Sequence, residues 1–214
     1  MRQDMQNNVF TVGHSTHSQE RFIELLLSHG ITAISDVRSK PYSRVNPQFN
    51  REDLKEALRE NGISYVFLGA ELGARSDDPS CYENGKVQYD RLARTEKFKG
   101  AIERLLAGRE KHRISLMCAE KEPLDCHRTI LVARYLVAAG AEVQHIHANG
   151  RLESHAEALQ RLMWQLGISL ANADMFRSVA DLEQEAYEKQ EQRIAYSTVP
   201  PDPAPAYFEK PVTV

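Results

Sequence analysis

The chain has 214 residues, 42% of them hydrophobic, with 27 Lys and Arg against 30 Asp and Glu, which is a globular composition with apolar material for one ordinary core. Ala171–Val214 holds eight acidic and four basic residues, leaving 23 basic and 22 acidic in Met1–Leu170. A nearly neutral body argues against broad electrostatic binding of nucleic acid, while a local basic groove remains compatible with it.

Three cysteines, Cys81, Cys118 and Cys126, and a polar start, MRQDMQNN, fit a reduced compartment and no signal peptide. No run approaches the roughly 18 apolar residues of a membrane span. The expected location is the cytoplasm, with no membrane partner.

In chain order, residues 1–8 are polar and expected to be disordered. Val9–Val12 predicts a strand ended by Gly13-His14-Ser15-Thr16. Ser18 caps a helix through His29, and Gly30 stops it. Ile31–Val37 is a second strand, followed by Arg38-Ser39-Lys40-Pro41. Asn50 caps a helix over Arg51–Asn61, and Ile63–Leu68 is a third strand. A long segment, Gly69–Asp90, precedes a helix at Thr95–Ala107, and its part from Asp77 to Gln88 has no signature. Ile114–Cys118 is the central strand. Its loop runs to Asp125, expected as the N-cap of a helix that opens with Cys126-His127-Arg128 and stops at Gly140. A strand at Glu142–His147 and a helix at Arg151–Gln165 complete the body.

Strands that read as continuous aliphatic runs, alternating with helices, define the α/β class. The expectation is a mostly parallel sheet of about five strands with helices on both faces, spanning residues 9–168. Residues 169–196 form a C-terminal helical extension. Its helix, Asn172–Tyr196, carries a stripe of Met175, Phe176, Val179, Leu182, Ala186 and Tyr187. That stripe suits docking on the domain, with a protein partner or self-association as the alternative. Residues 197–214 form a Pro-rich tail that cannot pack.

Polar residues gather at the carboxyl end of each strand, where open α/β sheets bind ligands. They are His14 and Ser15, Asp36 and Arg38, Glu71 and Arg75, Cys118 and Glu120, and His145 and His147. Cys118 at a strand end facing a helix N-terminus has the position of a thiolate nucleophile, and a buried packing cysteine is the alternative. Glu120, Glu122 and Asp125 oppose negative charge there. Arg38, Arg75 and Arg128 suit a carboxylate or phosphate, or else pair with Asp36, Glu71 and Glu120. His127 is placed for acid–base work or for helix capping, and Asp36 for a general base or a turn cap. Cys118, Cys126 and His127, with His14 or His145 across the rim, are donors that zinc accepts. The spacing lacks CxxC, so no metal ligand is assigned, and the residues name no cofactor.

Four ordered blocks now carry a resemblance: GHS at Gly13–Ser15, DVRSKPYS at Asp36–Ser43, FLGAELGAR at Phe67–Arg75 and CAEKEPLDCHR at Cys118–Arg128. With HIH at His145–His147, they resemble the family catalogued as domain of unknown function 488, from Val9 to about Gly150. The resemblance implies an α/β domain with a shared polar site and no settled reaction. The residues fit a small cytosolic enzyme acting on an anionic substrate, phosphate- or carboxylate-bearing, of nucleotide or nucleic-acid kind. Cys118, His127, Asp36 and Glu120 are its candidate catalytic groups, and His14, Ser15, Arg38, Arg75 and Arg128 its candidate binding groups. The alternative is a non-enzymatic module that binds a nucleotide, nucleic acid or protein, with or without a metal.

Overall fold

A computed structural model describes residues 8–173 and 176–199 of the chain. The elements are β1 (Asn8–Gly13), α1 (Gln19–Ser28), β2 (Ala33–Asp36), α2 (Arg51–Glu60), β3 (Ser64–Phe67) and α3 (Gly69–Leu72). There follow β4 (Tyr82–Glu83), β5 (Lys86–Val87), α4 (Tyr89–Ala93), α5 (Glu96–Gly108), β6 (Ile114–Cys118) and α6 (Arg134–Ala138). The last are β7 (Glu142–Ile146), β8 (Leu152–Ser154), α7 (His155–Gln165) and α8 (Val179–Ile194).

One sheet of six strands runs in the order β3-β2-β6-β1-β7-β8, parallel except for β8 against β7. Its inner strands are apolar on both sides because both faces are covered. Phe10, Val12, Ile34 and Met117 meet Phe22, Leu26, Leu54 and Leu58 of α1 and α2 on one face. Val9, Leu116, Cys118 and Val143 meet α5, α6 and α7 on the other. The connections leaving β1 and β2 therefore cover one face, and those leaving β3 and β6 the opposite one. That reversal opens a crevice at the carboxyl ends of β1, β2 and β6, the place where such sheets take ligands.

Several elements differ from the sequence reading. The sheet has a sixth strand because Leu152–Ser154 pairs antiparallel with β7. The helix expected from Arg151 therefore starts at His155, where Ser154 and Glu157 form a reciprocal cap. Glu153, pointing inward from the new strand, bonds to His147 and Arg161. The helix expected at Asn172 starts at Val179, capped by Ser178 and Asp181, and Phe176 stays 88% exposed. Leu182, Ala186 and Tyr187 of the expected stripe are buried against the domain, whereas Met175 lies outside the described residues. Asp77–Gln88 contains the β4–β5 hairpin, and Ser197–Val199 is strapped to it through Lys86 and Gly85. The expected disordered start, except Asn8, and residues 200–214 of the expected tail lie outside the described residues. Among the described residues no helix is long and apolar enough to cross a membrane.

Under the sheet, four buried polar groups form a chain. Thr11 Oγ1 is 2.8 Å from His145 Nδ1, His145 Nε2 is 3.2 Å from His155 Nδ1, and His155 Nε2 is 2.7 Å from Tyr187 Oη. This chain ties β1, β7, α7 and α8 together. Burial, then the nearby Arg134 charge, holds His155 down to about 4. Burial and the His155 charge likewise hold His145 well below the usual range. Unfolded, both would titrate near 6.5. The unfolded chain thus takes up protons that the folded chain refuses, so this contribution is full above about pH 6.5 and is lost as pH falls toward about 4. Urea unfolding at about pH 7.5 and about pH 5 should show a loss on the order of 2 kcal/mol from His155. His155→Gln should remove the His155 share of that difference and leave the part due to His145 and His14; an equally steep dependence in the variant would refute the assignment.

Candidate active site at the carboxyl ends of β1, β2 and β6

Strand register sets the rim. Gly13 lies opposite Cys118, and Asp36 opposite Met117. The ladder continues past the strand ends, with His14 N–H donating to Cys118 O at 2.9 Å and Ser15 N–H to Ala119 O at 3.0 Å. The loop after β6 therefore lies directly on β1. Only glycine permits this at position 13, since a Cβ there would stand 1.9 Å from Glu120 O. The β3 side has the same requirement: a Cβ on Gly69 would stand 2.0 Å from Arg38 O.

Pro123–Asp125 folds as a short 3-10 turn capped by Glu122, so Asp125 ends that turn and is not the cap of the following helix. Cys126 takes that place, extended at φ −133° and ψ 139°. Its Sγ accepts the Arg128 N–H at 3.4 Å, and its carbonyl accepts from Thr129 and Ile130. The first stretch after His127 is a widened π-helical turn, Arg128–Ala133, which runs into α6. Arg128 is fully buried; it donates to Glu120 O at 2.7 Å and to Lys121 O at 3.4 Å.

Asp36 and Arg38 form a two-pronged pair, Arg38 Nε to Oδ1 at 2.9 Å and a terminal nitrogen to Oδ2 at 2.6 Å. Tyr65 Oη donates to the same Oδ2 at 2.8 Å. The other guanidinium nitrogen of Arg38 lies 3.3 Å from His14 Nε2, whose Nδ1 meets the carbonyl of Ser15 at 2.9 Å. Ser15 sits at φ 49°, uncommon for a residue with a Cβ. Burial, then the Arg38 charge, pushes His14 down to about 4. Burial would ease Arg38 toward neutrality, but its bonds to Asp36 more than offset that and raise it.

The thiols sit beside this pair. Cys118 Sγ is 3.7 Å and Cys126 Sγ 3.8 Å from His127 Nδ1, while His127 Nε2 is 3.0 Å from Val37 O. Cys126 Sγ and Glu120 Oε2 are 2.9 Å apart. Burial, and then its bond to Cys126, pushes the Cys118 thiol well up. Burial opposes ionisation of Cys126 too, but the bond from Cys118 and the charges of Arg128 and His127 outweigh it and hold Cys126 well down. Chain position ranks Cys118 first; the local field favours ionisation of Cys126 over Cys118. Burial, then the Cys126 charge, raises Glu120.

A cavity of about 260 Å³ opens above these groups. Cys118, Glu120 and His127 line it together with Arg38, Ser39, Lys40 and Arg75. Tyr89, Asp125, Ile194 and Tyr196 also line it, and Arg75 stacks over the Tyr196 ring at 4.5 Å. Of the sequence candidates, Arg38, Arg75, Cys118, Glu120 and His127 face the cavity. His14, Asp36 and Arg128 lie buried beside it and hold those groups, and Ser15 stands at the end of β1. His145 and His147 belong to other networks, because His145 pairs in register with Thr11, two residues before the rim. Glu71 turns away toward Arg104, 3.5 Å off. Residues missed from sequence include Ser39 and Lys40, which were inside the quoted DVRSKPYS block, and Tyr65, an aromatic in a strand. Ile194 and Tyr196 carry no local signal.

Fold and site define a parallel α/β protein with a thiol–imidazole–carboxylate cluster under a basic rim. The chain belongs to the family described as Domain of unknown function DUF488, whose model matches residues 18–136, more than half of its length. The match begins after Gly13-His14-Ser15 and stops before the His145–His147 strand end. Neither the curated proteins nor the solved structures compared with the chain gave a match.

Gly13→Ala should cost at least about 2 kcal/mol, the scale of overpacking, and so lower Tm by roughly 4 °C or more for a chain of this size. It should also open native Cys118 and Cys126 to a thiol reagent. An unchanged Tm with unreactive thiols would mean that the loop does not lie on β1 as described.

Proposed function

We propose that this protein is a small cytoplasmic enzyme whose cavity at the carboxyl ends of β1, β2 and β6 takes a phosphate- or carboxylate-bearing substrate. The observation that carries the reading is the cavity's mixed lining, which brings Arg38, Lys40 and Arg75 together with Cys118, His127 and Glu120. Guanidinium and ammonium groups suit an anion's oxygens. A thiol paired with an imidazole, next to a carboxyl raised by burial, suits covalent or acid–base work. Asp36 is buried and engaged by Arg38 and Tyr65, so in this reading it positions Arg38 rather than acting as the general base. Arg128 likewise positions the loop.

The volume suits a compact ligand, with a single nucleotide or the end of a nucleic-acid strand near its upper limit. Glu120 and Asp125 on the lining oppose a highly charged polyanion. A protein partner or second copy reaching α8 would meet its charged and Gln-rich outer face and the exposed Phe176 and Val179, since Leu182, Ala186 and Tyr187 are covered.

Thermal melts with inorganic phosphate, nucleoside monophosphates and small dicarboxylates provide the test. A ligand at about 100 times its Kd should stabilise the fold by about 2.7 kcal/mol. The shift should vanish in Lys40→Ala/Arg75→Ala. No shift with any of them, or a shift kept in the double variant, would refute the anion site. Phosphorus or proton NMR of the stabilising ligand should then show its slow conversion, abolished in His127→Ala. A ligand that binds and stays intact would make the protein a binding module.

A further inference from the structure

Cys118, Cys126 and His127 bring one ligating atom each to within 4.8 Å of one another. Both sulfurs stand 3.7–3.8 Å from the same imidazole nitrogen, His127 Nδ1. An ion at about 2.3 Å from sulfur and about 2.0–2.1 Å from nitrogen, with tetrahedral angles, holds such donors about 3.6 Å apart. The two sulfur–nitrogen separations already match this to within a few tenths of an ångström, and the sulfurs, within 4.8 Å of each other, close on one ion by approaching to about 3.8 Å.

The imidazole is already oriented for this. Val37 O is 3.0 Å from Nε2 and can only accept, so Nε2 carries a proton and Nδ1 is the nitrogen turned to the two sulfurs, free to ligate once it is unprotonated. A carbonyl on the far nitrogen is the usual outer partner of a metal-bound histidine. The Arg128 amide donating to Cys126 Sγ at 3.4 Å supports charge on that sulfur without competing for its place toward Cys118. The widened turn Arg128–Ala133 begins directly after His127, and such turns concentrate at functional sites. All three donors are buried, yet Cys118 and His127 line the cavity, which supplies a path in and an open side.

We propose that Cys118, Cys126 and His127 bind one zinc-class divalent ion whose fourth position opens into the cavity beside Glu120. Two sulfurs and an imidazole select such an ion over magnesium or calcium. Three protein ligands with one open position is the arrangement of catalytic rather than structural zinc. On binding, two sulfur–metal bonds form, any protons still on the thiols leave to solvent, and nothing is oxidised or reduced. The thiols then act as ligands and not as nucleophiles. The site stands on its own geometry, whether or not the cavity converts an anion.

The test uses the full-length chain and the metal alone. Purified without chelator, or reloaded with zinc and gel-filtered, the protein should keep about one equivalent of zinc. Cobalt(II) should give a tetrahedral visible spectrum and a near-ultraviolet sulfur-to-cobalt charge-transfer band in the wild-type chain, which needs no variant. Cys118→Ser, Cys126→Ser and His127→Gln should each weaken zinc by more than the roughly 10–100-fold cost of losing an outer partner. Cys81→Ser should bind like wild type, and melts of the metal-free variants separate lost ligation from lost folding. Failure to hold zinc, a cobalt spectrum without the charge-transfer band, or unchanged affinity in folded Cys118→Ser and Cys126→Ser would overturn the proposal. Anion binding that survives such a failure would leave the proposed activity untouched.

Discussion

Arg128 enters the interior with no exposed surface and gives its guanidinium to the carbonyls of Glu120 and Lys121, in the loop just before it. A buried cation is costly unless its donors are met. Here the partners are backbone oxygens, so the interaction fixes main chain and not merely a side chain. The loop from β6 is drawn back over the start of the next helix, and Cys118, Glu120, Cys126 and His127 come together although seven residues lie between the two cysteines. Gly13 is the other half of the constraint. Without a side chain at the end of β1, the Glu120 carbonyl can occupy the space where a Cβ would be.

The Asp36–Arg38–His14 set works beside this loop in a similar way. Both carboxylate oxygens of Asp36 are taken, one by Arg38 and the other by Arg38 and Tyr65. The aspartate therefore aims the guanidinium, and His14, held neutral by burial and by Arg38, accepts its remaining edge. Arg128 and His127 lie on the Cys126 side of the thiol pair, and their charges favour ionisation of Cys126 over Cys118. This explains how a loop with acidic Glu120 can still favour a thiolate on Cys126. Burial, and then the charge of Cys126, raises Glu120 above the usual carboxylate range.

The far wall of the cavity comes from outside the matched family segment. Ile194 and Tyr196 follow from α8, which packs through Leu182, Ala186 and Tyr187 and ends in a strap on the β4–β5 hairpin. Tyr187 closes the buried Thr11–His145–His155 chain, so the same helix that walls the cavity is anchored to β1 and β7 by polar contacts. The matched segment holds Cys118, Glu120, Cys126 and His127, while the extension adds Ile194 and Tyr196 to the cavity lining.

Much of this was readable in one dimension because it depends on local rules. Period and punctuation marked every inner strand and the long helices: β6 is a continuous apolar run, Ser18 caps α1, and Gly30, Gly62 and Gly140 close their helices at positive φ. A parallel α/β alternation then forces strand ends onto one rim, which is why Arg38, Cys118 and His127 could be grouped from sequence. What depends on partners distant in the chain was not readable. Leu152–Ser154 is a strand only because β7 has a free edge beside it. Cys126 caps the helix in place of Asp125 only because Pro123 starts a separate turn. His145 leaves the rim only because its register sets it opposite Thr11, and Tyr196 reaches the cavity only because α8 docks. The sequence by itself determined which residues could do chemistry and at which end of the sheet they would lie. Tertiary structure alone decided which of them face the cavity, which hold the others in place and which sulfur ionises more readily, because burial and fields of a few ångströms' range are set by neighbours that are far apart in the chain.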